Sequence, residues 1–133
     1  MTTAFAEIRA RYRGRSLGER MRLAQRWYGT PYPAVEAVVP RAGVVVDAGC
    51  GFGLFAAVLA FGAVEREVVG IDVDGPKIRQ AQALYVGVPN VRFVEADLAD
   101  APLPEAEAVV FYDVLHHLRD AVVERVLRAA YDR

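Results

Sequence analysis

Between the β-branched run Val44-Val45-Val46 and a helix-like apolar stretch, residues 54–62, the chain reads Asp47-Ala48-Gly49-Cys50-Gly51-Phe52-Gly53. Glycines at alternate positions let a strand turn sharply into a helix and let backbone approach a ligand closely. The helix that follows offers free N–H groups at its start. The spacing is G-x-G-x-G, whereas the dinucleotide fingerprint is G-x-G-x-x-G and would need glycine where Leu54 stands. An acid ahead of the first glycine also repels a diphosphate. It suits a ligand that carries an ammonium group or another positive charge.

The rest of the chain repeats this strand-to-helix rhythm. Residues 68–71, 91–94 and 108–112 are apolar, β-branched runs expected as strands. Residues 76–86 are expected as a helix, with Asp74 as N-cap and Pro76 in the first turn. Residues 121–131 read as a last helix, with Val122, Val123, Val126, Leu127 and Ala130 on one face. Strands alternating with helices imply a doubly wound, mostly parallel α/β sheet of Rossmann-like type, covered on both faces. Ahead of it, residues 1–41 read as a helical cap or lid. Phe5, Ile8 and Tyr12 fall at helical spacing. Ser16 and Glu19 form a capping box before an apolar face of Leu17, Met21, Leu23, Ala24 and Trp27, and residues 34–39 add one or two turns. The domain reading is a cap over 1–41 and a core over 42–133 within one compact domain.

At 133 residues the chain is of single-domain size, and 54% apolar with 25% charged residues is a globular profile. Residues 1–41 carry a net charge of +5 and residues 42–133 a net of −6. The overall −1 disfavours general polyanion binding, so a nucleic-acid partner is not expected. A lone cysteine, Cys50, excludes a disulfide framework and a multi-cysteine metal site, and its role inside the turn is that of a small apolar filler. The longest uncharged apolar stretch, residues 54–64, suits a buried helix rather than a membrane span. With no secretory core at the N-terminus, the expectation is a cytoplasmic protein with no membrane partner. The arginines of residues 9–26 read first as a solvated helix face. The sharper reading has them meet a phosphate- or carboxylate-bearing ligand.

Three more signals follow the glycine turn. Asp72 ends the second strand twenty-three residues after Gly49, about where nucleotide folds place an acid for ribose hydroxyls. Asp97 follows the third strand in Ala96-Asp97-Leu98. Tyr112-Asp113-Val114-Leu115-His116-His117 follows the fourth. All four signals sit at carboxyl ends of strands, where open α/β sheets bind ligands. In this order and register the sequence resembles the class I S-adenosylmethionine-dependent methyltransferases over residues 44–118.

The resemblance implies S-adenosylmethionine as cofactor, S-adenosylhomocysteine as product and a small molecule as methyl acceptor. It implies that the turn (Asp47, Ala48, Gly49, Cys50, Gly51, Gly53) packs on the methionine and ribose portion, with Asp47 holding the amino group. Asp72 would take the ribose hydroxyls. Asp97 would accept from the adenine amine, with Val73, Ala96 and Leu98 near the ring, and Tyr112 would close the cofactor site. Asp113, His116 and His117 would face the transferring methyl, one of them acting as base where the acceptor needs it. No metal constellation is evident. The family fold has seven strands, and four are countable here. A truncated or naturally short core is therefore expected, with a homodimer through the fourth-strand edge or last helix as one way to cover that edge. The alternatives are a non-catalytic S-adenosylmethionine- or nucleotide-binding domain acting with a partner and, less favoured by the glycine spacing, a nicotinamide dehydrogenase.

Overall fold

A computed structural model describes residues 3–100, 102–112, 124, 127 and 128. Three helices come first: α1 (Thr3–Arg11), α2 (Leu17–Gly29) and α3 (Tyr32–Ala37). Then β1 (Gly43–Ala48), α4 (Leu54–Gly62), β2 (Arg66–Asp72), α5 (Gly75–Leu84), β3 (Val91–Glu95) and β4 (Ala108–Val110) alternate as expected. The strands form one parallel sheet in the order β3-β2-β1-β4. The helix of residues 121–131 lies outside the described residues, apart from Glu124, Leu127 and Arg128.

Side chains alternate across a strand, so each strand serves two cores. Val45, Val68, Phe93, Ala108 and Val110 pack with all five helices in the larger cluster. Val44, Val46, Val69, Ile71, Val94 and Val109 form the opposite face with Leu98, Leu103 and Ala106 of the segment after β3. Among the described residues, then, helices cover one face and a loop covers the other, where helices were expected on both. Residues 54–60 of α4 are all buried, because α4 lies between the sheet and the layer made by α1 and α3. The first 41 residues therefore share one core with the sheet.

Two local devices match the sequence closely. Ser16 Oγ accepts the Glu19 N–H while Glu19 accepts the Ser16 N–H, closing the capping box of α2. Asp74 caps α5 by accepting the Lys77 N–H. The apolar face expected of α2 is different. Leu23 is buried and Trp27 half-buried, but Leu17, Met21 and Ala24 face solvent. The stripe formed by Glu19, Arg22, Leu23 and Arg26 instead lines a cavity, so this helix turns a mostly polar face inward.

Candidate cofactor and acceptor site

The cavity lies at the carboxyl ends of β1 and β2 and encloses about 280 Å³. Strand alternation places its acids. Asp47 follows Val45 onto the helix-covered face, and Asp72 follows Val68 and Gly70 onto the same face. Ala48 pairs with Ile71, so the two carboxylates project from neighbouring strands a step apart. The start of α4 then roofs Asp47, leaving it 2% exposed.

The glycine turn joins these acids. Gly49, Gly51 and Gly53 have φ of +80°, +57° and +85°, a region that side chains disfavour. The N–H groups of Gly49 and Cys50 both donate to the Ile71 carbonyl, at 2.7 and 2.9 Å, tying the turn to β2. Asp72 Oδ2 accepts the Gly51 N–H at 2.8 Å and Oδ1 accepts the Asp74 N–H at 2.9 Å. A Cβ on Gly53 would lie 2.6 Å from the Phe93 ring, whereas one on Gly51 would meet nothing within 4 Å. The open space at Gly51 is the floor of the cavity.

Asp47 is the electrostatic anomaly. Its Oδ2 is buried and makes no hydrogen bond. Burial pushes its carboxyl from 3.8 up to about 7; the Ala56 backbone N–H opposes the rise and the nearby Asp72 charge adds to it. A buried carboxylate with a free oxygen is costly unless a cationic or hydrogen-bonding partner arrives. Cys50, half-buried beside it, has its thiol pushed far up by burial and by Asp47 and Asp72, so it is no nucleophile.

The remaining candidates divide. Tyr112 lines the cavity and completes a ring cluster with Tyr32 and Phe55, its centroid 5.7 and 5.4 Å from theirs. Ala48, Ala96 and Leu98 sit in the core of the opposite sheet face. Val73 and Asp97 are exposed beside the cavity rather than within it. Asp97 Oδ1 accepts the Ala99 N–H at 2.8 Å, and the Ala96 N–H donates to the Asp72 carbonyl, which holds this turn next to β2. Gly53 serves the packing of α4 and β3. Asp113, His116 and His117 lie outside the described residues. Sequence reasoning passed over Tyr12 and Gln80 as parts of this wall. Arg22 and Arg26 fell within the arginine-rich stretch that it read first as a solvated face and, more sharply, as meeting a phosphate- or carboxylate-bearing molecule. Among the described residues no group of His, Cys, Asp and Glu could hold a metal ion, and no helix is long and apolar enough to cross a membrane.

Residues 45–133 match the sequence family described as methyltransferase domain. The chain belongs to the class I S-adenosylmethionine-dependent methyltransferase family. Over 92 residues it is 40% identical to an uncharacterized methyltransferase of Mycobacterium tuberculosis, a match covering 65% of this chain and 44% of that protein. A probable S-adenosylmethionine-dependent methyltransferase of the same organism is 34% identical over 98 residues, covering 71% of this chain and 34% of that one. The match thus spans less than half the length of either relative. Among solved structures, a TehB-like SAM-dependent methyltransferase from Corynebacterium glutamicum is similar, with a TM-score of 0.63 at 25% identity over 86% of this chain and 66% of that one. The pyocyanin biosynthetic protein PhzM shares the fold, with a TM-score of 0.75 at 16% identity over 98% of this methyltransferase domain and 40% of that chain. Family and fold therefore agree with what the four motifs implied.

Proposed function

We propose that this methyltransferase domain binds S-adenosylmethionine at the carboxyl ends of β1 and β2 and passes its methyl group to a small-molecule acceptor. The observation that carries this reading is the buried, partnerless Oδ2 of Asp47 above the open floor at Gly51. An α-ammonium group is the partner that oxygen lacks. Asp72 supplies the acceptor oxygens for ribose hydroxyls, and the exposed Val73 and Asp97 are the candidates to meet the adenine ring. When bound, the sulfonium supplies a methyl group that an acceptor lone pair takes in line as the C–S bonding pair returns to sulfur. The chain's task is then to orient the acceptor and exclude water, for which α2 serves as the lid. Asp113, His116 and His117, which follow Tyr112 in the chain, are the candidates for taking the acceptor's proton.

Calorimetric titration tests the cofactor half of this reading. S-Adenosylhomocysteine should bind and NAD should not, and Asp47→Asn should weaken binding at least about tenfold. Equal binding of NAD, or indifference to Asp47→Asn, would overturn it. Because the match to relatives covers less than half their length, a binding domain that works with a partner is the second reading. Conversion of S-adenosylmethionine to S-adenosylhomocysteine in the presence of candidate acceptors separates the two, since a non-catalytic domain binds without turnover.

A further inference from the structure

We propose that the acceptor taken by this cavity carries a carboxylate or phosphate, and that Arg22 and Arg26 of α2 bind it. The inference rests on the methyl-transfer reading above and specifies its second substrate.

Glu19, Arg22 and Arg26 recur at three- and four-residue spacing, so they share one side of α2, and that side lines the cavity. Glu19 is already committed. Its Oε2 accepts from the Ser16 N–H and hydroxyl at 3.0 and 2.9 Å. Its Oε1 accepts from Gln80 Nε2 at 2.8 Å and lies 4.0 Å from Arg15. Lys77, the third cation in the wall, sits 3.9 Å from Asp74 and over the Phe52 ring. Arg22 and Arg26 make no close ion pair among the described residues, Arg22 only adding to the positive field that lowers the Glu19 carboxyl, unlike Arg15, Arg41, Arg66, Arg79 and Arg128. Both planar forks are left for an anion from outside the chain.

A count of charges then separates cofactor from acceptor. S-Adenosylmethionine brings one carboxylate, and its ammonium and ribose are answered by Asp47 and Asp72. Two uncommitted guanidinium groups face that one carboxylate, which leaves a cation for a second anion in the same cavity. The other side of the cavity is apolar, built by the rings of Tyr32, Phe55 and Tyr112. An anionic head on α2 and a flat apolar body on these rings is the acceptor the walls describe. The other arginines of the segment do not compete for this role, since Arg9, Arg13 and Arg20 line a separate groove between α1 and α2.

The test uses the chain saturated with S-adenosylhomocysteine, so that the cofactor's carboxylate is already in place. Benzoate and phenyl phosphate are titrated against benzamide and benzyl alcohol, in the unmodified chain and in Arg22→Gln and Arg26→Gln. S-Adenosylhomocysteine and 5′-methylthioadenosine, which lacks the amino-acid part, are titrated into each protein separately. The anionic probes should bind at least about tenfold more tightly than the neutral ones. At least one substitution should abolish that preference while leaving methylthioadenosine affinity unchanged. The ranking of benzoate against phenyl phosphate tells which anion the fork prefers. Normal binding of S-adenosylhomocysteine with no preference for anionic probes would overturn the inference and leave the methyl-transfer reading standing. So would substitutions that weaken S-adenosylhomocysteine alone, because both arginines would then serve the cofactor. Failure of S-adenosylhomocysteine to bind the unmodified chain would overturn both.

Discussion

The two ends of the central strand pair β1–β2 bury opposite charges in opposite ways. At the amino end, Arg66 is fully buried, and each of its side-chain nitrogens is used. Nε donates to the Pro40 carbonyl, Nη1 to the Glu36 carboxylate and the Leu59 carbonyl, and Nη2 to the carbonyls of Val39 and Glu36. At the carboxyl end, Asp47 is as deeply buried, yet one of its oxygens has no partner. The first arrangement ties α3, α4 and the entry to β1 onto β2, and it is complete within the chain. The second is incomplete, and completing it is work for a ligand. A buried charge alone therefore says little about function; whether its partners come from the chain says more.

The strongest way to break this contrast is to neutralise each group in turn. Arg66→Met removes five hydrogen bonds and leaves the mostly buried Glu36 carboxylate with only the exposed Arg41, 3.7 Å away, as its cation. The loss should be about 3–5 kcal/mol of unfolding free energy in urea, with binding by the folded fraction intact. Asp47→Asn should do the reverse, leaving stability at pH 8 equal or higher while S-adenosylhomocysteine binding is lost. If Arg66→Met spared stability, the amino-end network would not be what joins α3 to the sheet.

The pH dependence of stability sharpens the same point at the Asp47 end. Its carboxyl titrates near 3.8 in the unfolded chain and near 7 in the folded one. Below pH 4 both states hold the proton. Between pH 4 and 7 the folded state binds more protons than the unfolded state, so this group's contribution declines as pH rises, and above 7 it is constant. Subtracting the Asp47→Asn profile isolates the effect from other carboxylates, and the difference should fall by a few kcal/mol across that window. A flat difference would mean that Asp47 is solvated in the free protein.

How far these features were legible beforehand follows from how local they are. The positions of the strands, the glycine turn and both helix caps depend on neighbours within a few residues, and the reading from residue types agreed with the structure there. Arg66 looks unremarkable between Glu65 and Glu67, because its partners stand 26 to 30 residues earlier or on α4. The orientation of α2 was misjudged for a related reason. Leu17 and Met21 suggest an inward apolar face, but a helix covering a polar cavity turns its polar stripe inward and leaves those side chains outside. The arginine-rich stretch already offered an anion-binding reading, but that Arg22 and Arg26 are the ones lining the cavity followed only from the packing of α2. Asp47 and Asp72, fixed by strand alternation next to the turn, were identifiable from spacing alone.

The smallest expected effects lie within the turn itself, where the same contrast reappears between neighbouring glycines. Gly53 faces the interior: a methyl group there would press on the Phe93 ring at 2.6 Å and on Ala81 at 3.1 Å. Gly53→Ala should cost about 2–3 kcal/mol, combining the left-handed backbone with overpacking. Gly51 faces the cavity, with nothing within 4 Å of its notional Cβ. Gly51→Ala should therefore cost only about 1 kcal/mol, for the backbone alone. Its methyl group would nevertheless occupy space at the cavity floor, so S-adenosylhomocysteine affinity should fall at least about tenfold, out of proportion to the stability change. For Gly53→Ala the order is reversed, with stability lost first and affinity of the folded fraction largely kept. Should both variants lose stability and affinity in parallel, the turn would act as one structural unit, and the division between glycines that serve packing and glycines that serve the ligand would fail.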